Sequence, residues 1–165
     1  MTLMTVRFTT MPSPIDDLMV VAEGDDLTGL YMLPHPQPGP DWIRVDDDAV
    51  LQAARQQLDA YFAGDRTDFD LPLAPSGTAF QMQVWAALRQ IPYGQTISYG
   101  ELARRIGNPQ ASRAVGLANG RNPIAVIVPC HRVIGANGSL TGYGGGLERK
   151  QVLLSLEQGV TALPV

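Results

Sequence analysis

A chain of 165 residues with a single cysteine must hold itself together by packing alone. Cys130 has no partner for an internal disulfide. A zinc or iron–sulfur site built from several cysteines is excluded for the same reason. Only His35 and His131 stand beside it as imidazole ligands, so no structural metal is expected. A hydrophobic share of 45% suits a packed globule and argues against disorder. The length fits one domain of ordinary size, or two small ones. No apolar run approaches the roughly 20 residues of a membrane helix. The opening MTLMTVRFTT lacks the pattern of a signal peptide. The expectation is a cytoplasmic protein that makes no use of a membrane.

The first third reads as β-structure. VRFTTM, LMVVAE and LTGLYML are short and apolar, with breaks at Pro12–Asp17 and Gly24–Asp26. They suggest a small antiparallel meander. HPQPGPD reads as a loop. Asp46–Asp48 then precede AVLQAARQQLDAYFAG, in which Leu51, Ala54, Leu58 and Tyr61/Phe62 form a helical stripe and Gly64 is a stop. The second half reads mainly as helix. Thr78 can cap a helix with Phe80, Val84, Trp85 and Leu88 on one face. Ser98 and Glu101 are spaced as a capping box for SYGELARRIG. Asn108 and Pro109 are placed to open PQASRAVGLAN, ending at Gly120. Two short helices across a glycine-containing turn form a helix-turn-helix pattern. The small residues Ala111, Ser112, Ala114, Gly116 and Ala118 permit either close approach to another surface or tight packing on a neighbouring helix. IAVIV, an apolar β-prone run, leads to Cys130, and LERKQVLLSLEQG reads as a closing helix. The fold class is α/β, of the α+β kind. An N-terminal domain spans residues 1–77, and a mainly helical C-terminal domain spans 78–165.

Charge divides the same way. Residues 1–78 carry 4 basic and 13 acidic side chains, and residues 79–165 carry 8 basic and 3 acidic. The halves are thus −9 and +5, which suits a second half that meets something anionic. A thiol becomes a nucleophile only as thiolate, which needs a base or a cation nearby. His131 is a candidate base and Arg132 a candidate cation. Neighbours on a strand point to opposite faces, so a turn or a bridging water would have to link Cys130 to His131. A histidine base also needs an orienting group. Glu101 reads as a capping residue, and Glu148 suits the positive end of its helix. Glu157 remains as the partner, although taken alone it reads better as a solvated helix residue.

PCHRV, between an apolar run and the GYGGG loop, resembles the active-site signature of the O6-alkylguanine-DNA alkyltransferases, nearest their bacterial methylated-DNA–protein-cysteine methyltransferase group. The resemblance continues through IPYGQTISYGELA, GNPQASRAVGLANGRNPIAVIVPCHRVIG and TGYGGGLERKQVLLSLE, with the first 77 residues similar to a more variable N-terminal domain. It implies that Cys130 accepts the alkyl group from guanine O6, once per molecule and without a cofactor. His131 and Glu157 would deprotonate the thiol through a water, and Tyr99 would protonate the departing guanine. Asn122 would pin the turn before Cys130. Arg113 would enter the duplex in place of the flipped nucleotide. Ala111, Ser112, Ala114, Gly116 and Asn119 would meet DNA, through the minor groove. Tyr143, Gly144, Val128 and Pro129 would line the base pocket. The implied partner is double-stranded DNA containing O6-alkylguanine. The protein would be a monomer in solution, able to bind DNA cooperatively.

Asn119 departs from relatives that carry a bulkier methionine there. The zinc ligands of other relatives' N-terminal regions are missing, and no second cysteine is present to serve a methylation-sensing activator. Two other classes fit some of the same residues. A helix-turn-helix damage sensor would not need the nucleophile, and a cysteine hydrolase would need an oxyanion hole and turnover.

Overall fold

The computed structural model describes residues 5–34, 36–140, 143 and 145–159. The fold is mixed α+β and divides into two compact units, Met1–Ser76 and Gly77–Val165. No helix among the described residues is long and apolar enough to cross a membrane.

In the first unit, β1 (Val6–Met11), β2 (Leu18–Glu23) and β3 (Asp26–Met32) form the expected antiparallel meander. A fourth strand, β4 (Ile43–Arg44), joins β1 in parallel, so the sheet is mixed, in the order β3-β2-β1-β4. Two residues are too short to announce a strand in sequence. The central strand β2 is buried on both faces from Leu18 to Ala22. Helix α1 (Ala49–Phe62) covers the sheet with Leu51, Ala54, Leu58 and Tyr61. Its stripe recurs every three to four residues, as one helical face requires. The Asp48 side chain caps it, accepting from the backbone N–H groups of Val50 and Leu51. Asp48 also takes a hydrogen bond from Arg7 Nε on β1 at 2.7 Å, which ties the helix start to the sheet. Gly64 ends the helical segment at φ +82°, where a side chain would be strained.

In the second unit, α2 (Ala79–Leu88) opens with a complete capping box between Thr78 and Gln81. Its face of Val84, Trp85 and Leu88 is buried, and the Trp85 indole N–H donates to the Ala118 carbonyl at 2.9 Å. A two-residue strand, β5 (Ile97–Ser98), leads directly into α3 (Tyr99–Arg105), followed by α4 (Ser112–Gly120). Only half of the second capping box forms. Ser98 Oγ accepts from Glu101 N, but the Glu101 carboxylate turns to Arg104 and Arg105. The expected start of α4 at Asn108–Pro109 is also corrected. Ala111 N donates to Asn108 O across a tight turn, and the helix begins at Ser112 without a side-chain cap. Proline's fixed φ suits that turn as well as a helix start. Strand β6 (Val133–Ile134) pairs in parallel with β5, and α5 (Leu147–Glu157) closes the unit.

Asp48 therefore has two structural duties. Asp48→Ala should destabilise the first unit by about 1–2 kcal/mol, and Asp48→Asn, which still caps, by less. Chemical denaturation of both variants reads the difference.

Candidate active site

The run IAVIV is not the strand its composition suggests. Val128 N donates to Ile124 O, Ile127 N to Ala125 O and Cys130 N to Val128 O. The segment is a chain of tight turns. Val126 sits at φ +69°, a conformation that β-branched residues rarely accept. Pro129, at φ −82° and ψ 65°, forms an inverse γ-turn. Cys130–Arg132 then makes one 3-10 turn. Asn122 stabilises the arrangement. Its Oδ1 accepts from Ile124 N at 3.0 Å, and its Nδ2 donates to Val128 O at 2.8 Å. The apolar side chains are nevertheless buried throughout, because the backbone meets its hydrogen bonds locally.

The turn decides where the two reactive side chains go. Cys130 is 6% exposed and His131 is fully buried. His131 Nε2 lies 2.7 Å from Glu157 Oε2. A carboxylate only accepts, so Nε2 carries the hydrogen and Nδ1 keeps its lone pair. Nδ1 is buried and has no hydrogen-bond partner among the described residues. Burial holds His131 below the ordinary imidazole pKa, against the pull of Glu157, so the ring is a neutral proton acceptor.

Burial also pushes the Cys130 thiol above its usual pKa, with the Asn122 side chain and the Lys150 charge acting in the other direction. The resting sulfur is thus a thiol that must lose its proton as it reacts. Arg132 does not serve it directly. The guanidinium grips Glu157 with two bonds, Nε to Oε1 at 2.7 Å and Nη2 to Oε2 at 2.9 Å, and donates Nη1 to Ile91 O. Lys150 is the cation the sequence reading passed over. It is fully buried, and its Nζ donates to Val133 O at 2.6 Å. Burial lowers its pKa, and the nearby Cys130 opposes that shift. The signal was present in α5. Lys150, Leu153, Leu154 and Glu157 share one helical face, so two charged residues lie on a buried stripe.

Tyr143 has a buried hydroxyl without a hydrogen-bond partner among the described residues. Its pKa stands well above the usual phenol value, through burial and then the proximity of Cys130. Val128 and Pro129 are buried immediately before Cys130. Gly144 lies outside the described residues. Tyr99 opens α3, and the pairing of Ser98 with Ile134 places that helix start beside the chain leaving Arg132. The Tyr99 ring also lies against Gly116 of α4, where an added methyl would meet it at 3.7 Å.

On α4, Arg113 and Ala114 are exposed, Leu117 is 68% exposed, and Ala111, Ser112 and Gly116 are half-buried. Asn119 does not belong to this face. It is 2% exposed, and its Nδ2 donates to Cys130 O at 3.3 Å. Its side chain lies on the inward side of α4, away from the exposed residues expected to meet DNA. The helix turns it inward with Val115 and Ala118.

Comparisons with known proteins match both units. Residues 79–159 match "6-O-methylguanine DNA methyltransferase, DNA binding domain", and residues 6–75 match "6-O-methylguanine DNA methyltransferase, ribonuclease-like domain". The methylated-DNA–protein-cysteine methyltransferase of Mycobacterium tuberculosis is 54% identical over 153 residues, 93% of each chain. The crystal structure of the M. tuberculosis O6-methylguanine methyltransferase superposes with a TM-score of 0.85 at 52% identity, covering 98% of this chain and 96% of that one. The M. tuberculosis OGT in complex with DNA also has a TM-score of 0.85, at 54% identity over 94% of this chain and 93% of that one.

The thiol environment gives a direct test, because iodoacetamide has one cysteine to label. Labelling should keep rising with pH beyond the ordinary thiol range near pH 8.5. Lys150→Met, which removes the charge that favours thiolate, should displace the profile further upward. A profile left in place would separate Lys150 from the thiol.

Proposed function

The chain belongs to the 6-O-methylguanine DNA methyltransferase family, and from that premise we propose that it repairs alkylated DNA by moving the alkyl group onto its own Cys130. One observation carries the reading. The only cysteine of the chain is followed by a histidine locked to a buried carboxylate, with the other ring nitrogen left as an acceptor.

The proposed substrate is O6-methylguanine in duplex DNA. Stacking buries that methyl, so the nucleotide must leave the helix before Cys130 can reach it. The exposed face of α4, led by Arg113, is assigned to the minor groove, with Arg113 occupying the space of the flipped nucleotide. Contacts to the backbone without base readout suit a protein that inspects any sequence. The +5 balance of residues 79–165 supports that partner. Tyr143, Val128 and Pro129 supply the apolar walls of the base site.

The transfer is one displacement. The Cys130 proton passes, through a water, to His131 Nδ1, while Nε2–H stays on Glu157. The sulfur attacks the methyl carbon. An S–C bond forms, the C–O6 bond breaks, and its electron pair stays with guanine. Tyr99 donates a proton to the departing base, which is a poor leaving group as an anion. Asn122 holds the turn that aims the sulfur. No cofactor takes part.

Incubation with duplex DNA containing O6-methylguanine should add one methyl group to Cys130, seen by intact mass and peptide mapping, with no further turnover. An unchanged mass with DNA still bound would leave a damage-binding module instead. Cys130→Ser should abolish transfer and keep DNA affinity. Arg113→Ala should slow transfer from duplex DNA far more than from the free modified base; equal losses would remove its role in the duplex. Tyr99→Phe should slow transfer by roughly 10² to 10⁴, the range for a lost proton donor.

A further inference from the structure

Two asparagines at the end of α4 grip the backbone on either side of Pro129. Asn122 Nδ2 donates to Val128 O at 2.8 Å, and Asn119 Nδ2 donates to Cys130 O at 3.3 Å. Proline has no N–H of its own to fix this stretch. The first carboxamide sits in the turn after the helix. The second is part of α4 itself, on the same inward face as Val115 and Ala118. The helix assigned to DNA is thereby bonded to the backbone of the nucleophile.

The Asn119 contact is not explained by stability. Cys130 O already accepts the backbone N–H of Val133. It can only accept, so the Asn119 amide nitrogen must face it, and Oδ1 points elsewhere. That oxygen is buried and has no hydrogen-bond partner among the described residues. Burying an acceptor without a donor is unfavourable, and an apolar residue of the same size would avoid it. Groups that weaken a fold in this way concentrate where position matters more than stability.

We propose that Asn119 is a second positioning residue for Cys130, holding its carbonyl so that the thiol stands in line for displacement. This rests on the transfer reaction proposed above. The contribution is geometric. In-line attack on a methyl carbon needs the sulfur within about 3–3.5 Å and along the C–O axis. The Cys130 Cα carries both that carbonyl and the side chain, so a turn about its N–Cα bond moves the two together and swings the sulfur away from that line.

Asn119→Leu keeps the size and removes both the donor and the orphaned acceptor. It should melt at or above the wild-type Tm and bind unmodified duplex DNA as well as the wild type. Methyl transfer should slow by about tenfold to a hundredfold. The loss should be equal for duplex DNA and for free O6-methylguanine, because the fault lies at the sulfur. Unchanged rates on both substrates would overturn the proposal. A loss confined to duplex DNA with weakened binding would also overturn it, and would make Asn119 a DNA contact. A loss that follows a fall in Tm would reduce the residue to packing.

Asn119→Asp provides the second variant should Asn119→Leu not fold. A carboxylate placed against the Cys130 carbonyl disfavours thiolate, so the pH–rate profile of iodoacetamide labelling should move to higher pH. An unmoved profile would separate Asn119 from the thiol. That labelling needs no methylated DNA. A wild-type protein inactive on both methylated substrates would defeat the transfer reaction, while the labelling of Asn119→Asp would still read whether Asn119 bears on the thiol.

Discussion

The second unit depends on one buried carboxylate. Glu157 is 1% exposed at its side chain and holds His131 and Arg132 together. A lone carboxylate at that depth would cost several kcal/mol in desolvation. Arg132 compensates with two parallel bonds, the geometry in which guanidinium and carboxylate match best. The same guanidinium reaches Ile91 O, and Gly94 N approaches Glu157 Oε1. One ion pair thus joins the loop after α2, the turn at Cys130 and the last turn of α5. Arg132 also limits what Glu157 does to His131. With its charge already matched, the carboxylate orients the imidazole without making it a permanent cation. A ring that stayed charged could accept no proton.

The backbone around Cys130 answers a different demand. A strand would alternate its side chains and put Cys130 and His131 on opposite faces. The tight turns free the two side chains from that alternation. They require a β-branched residue at positive φ, a strained conformation that the surrounding bonds must enforce. Asn122 does so from inside the turn, and Asn119 reaches in from α4. Rigid placement suits the proposed chemistry. The protein cannot lower the barrier by gripping a methyl group, which offers no handle for a hydrogen bond. What remains is alignment of the nucleophile, activation of the thiol and protonation of the leaving group.

Legibility in the sequence followed the range of the forces involved. Thr78, Ser98 and Asp48 act within three residues, and their caps were readable or nearly so. The stripe of α1 was readable because one face meets one sheet. IAVIV misled because a buried apolar run looks alike as strand or as turns. Only the Asn122 carboxamide, two residues before Ile124, separates the two. Strand β4 was invisible at two residues. Lys150 and Asn119 were hidden for a common reason. Each is a polar residue on a buried helical face, and its partner lies 17 and 11 residues away. The motif resemblance pointed to Cys130, His131 and Glu157. It gave no account of what opposes the raised pKa of the thiol, which the Asn122 side chain and then the Lys150 charge supply.

The same geometry explains why the proposed reaction would stop after one event. Methylation turns Cys130 into a thioether, which has no proton for His131 to remove. His131 could activate a water, but attack on the methyl carbon would need a thiolate to leave from a site that disfavours thiolate. No second cysteine exists in the chain to take the group. Burial that makes the thiol dependent on a base therefore also makes the product permanent. A site open enough to release the methyl group to water would expose the imidazole and the carboxylate, and would weaken the ion pair that closes the unit.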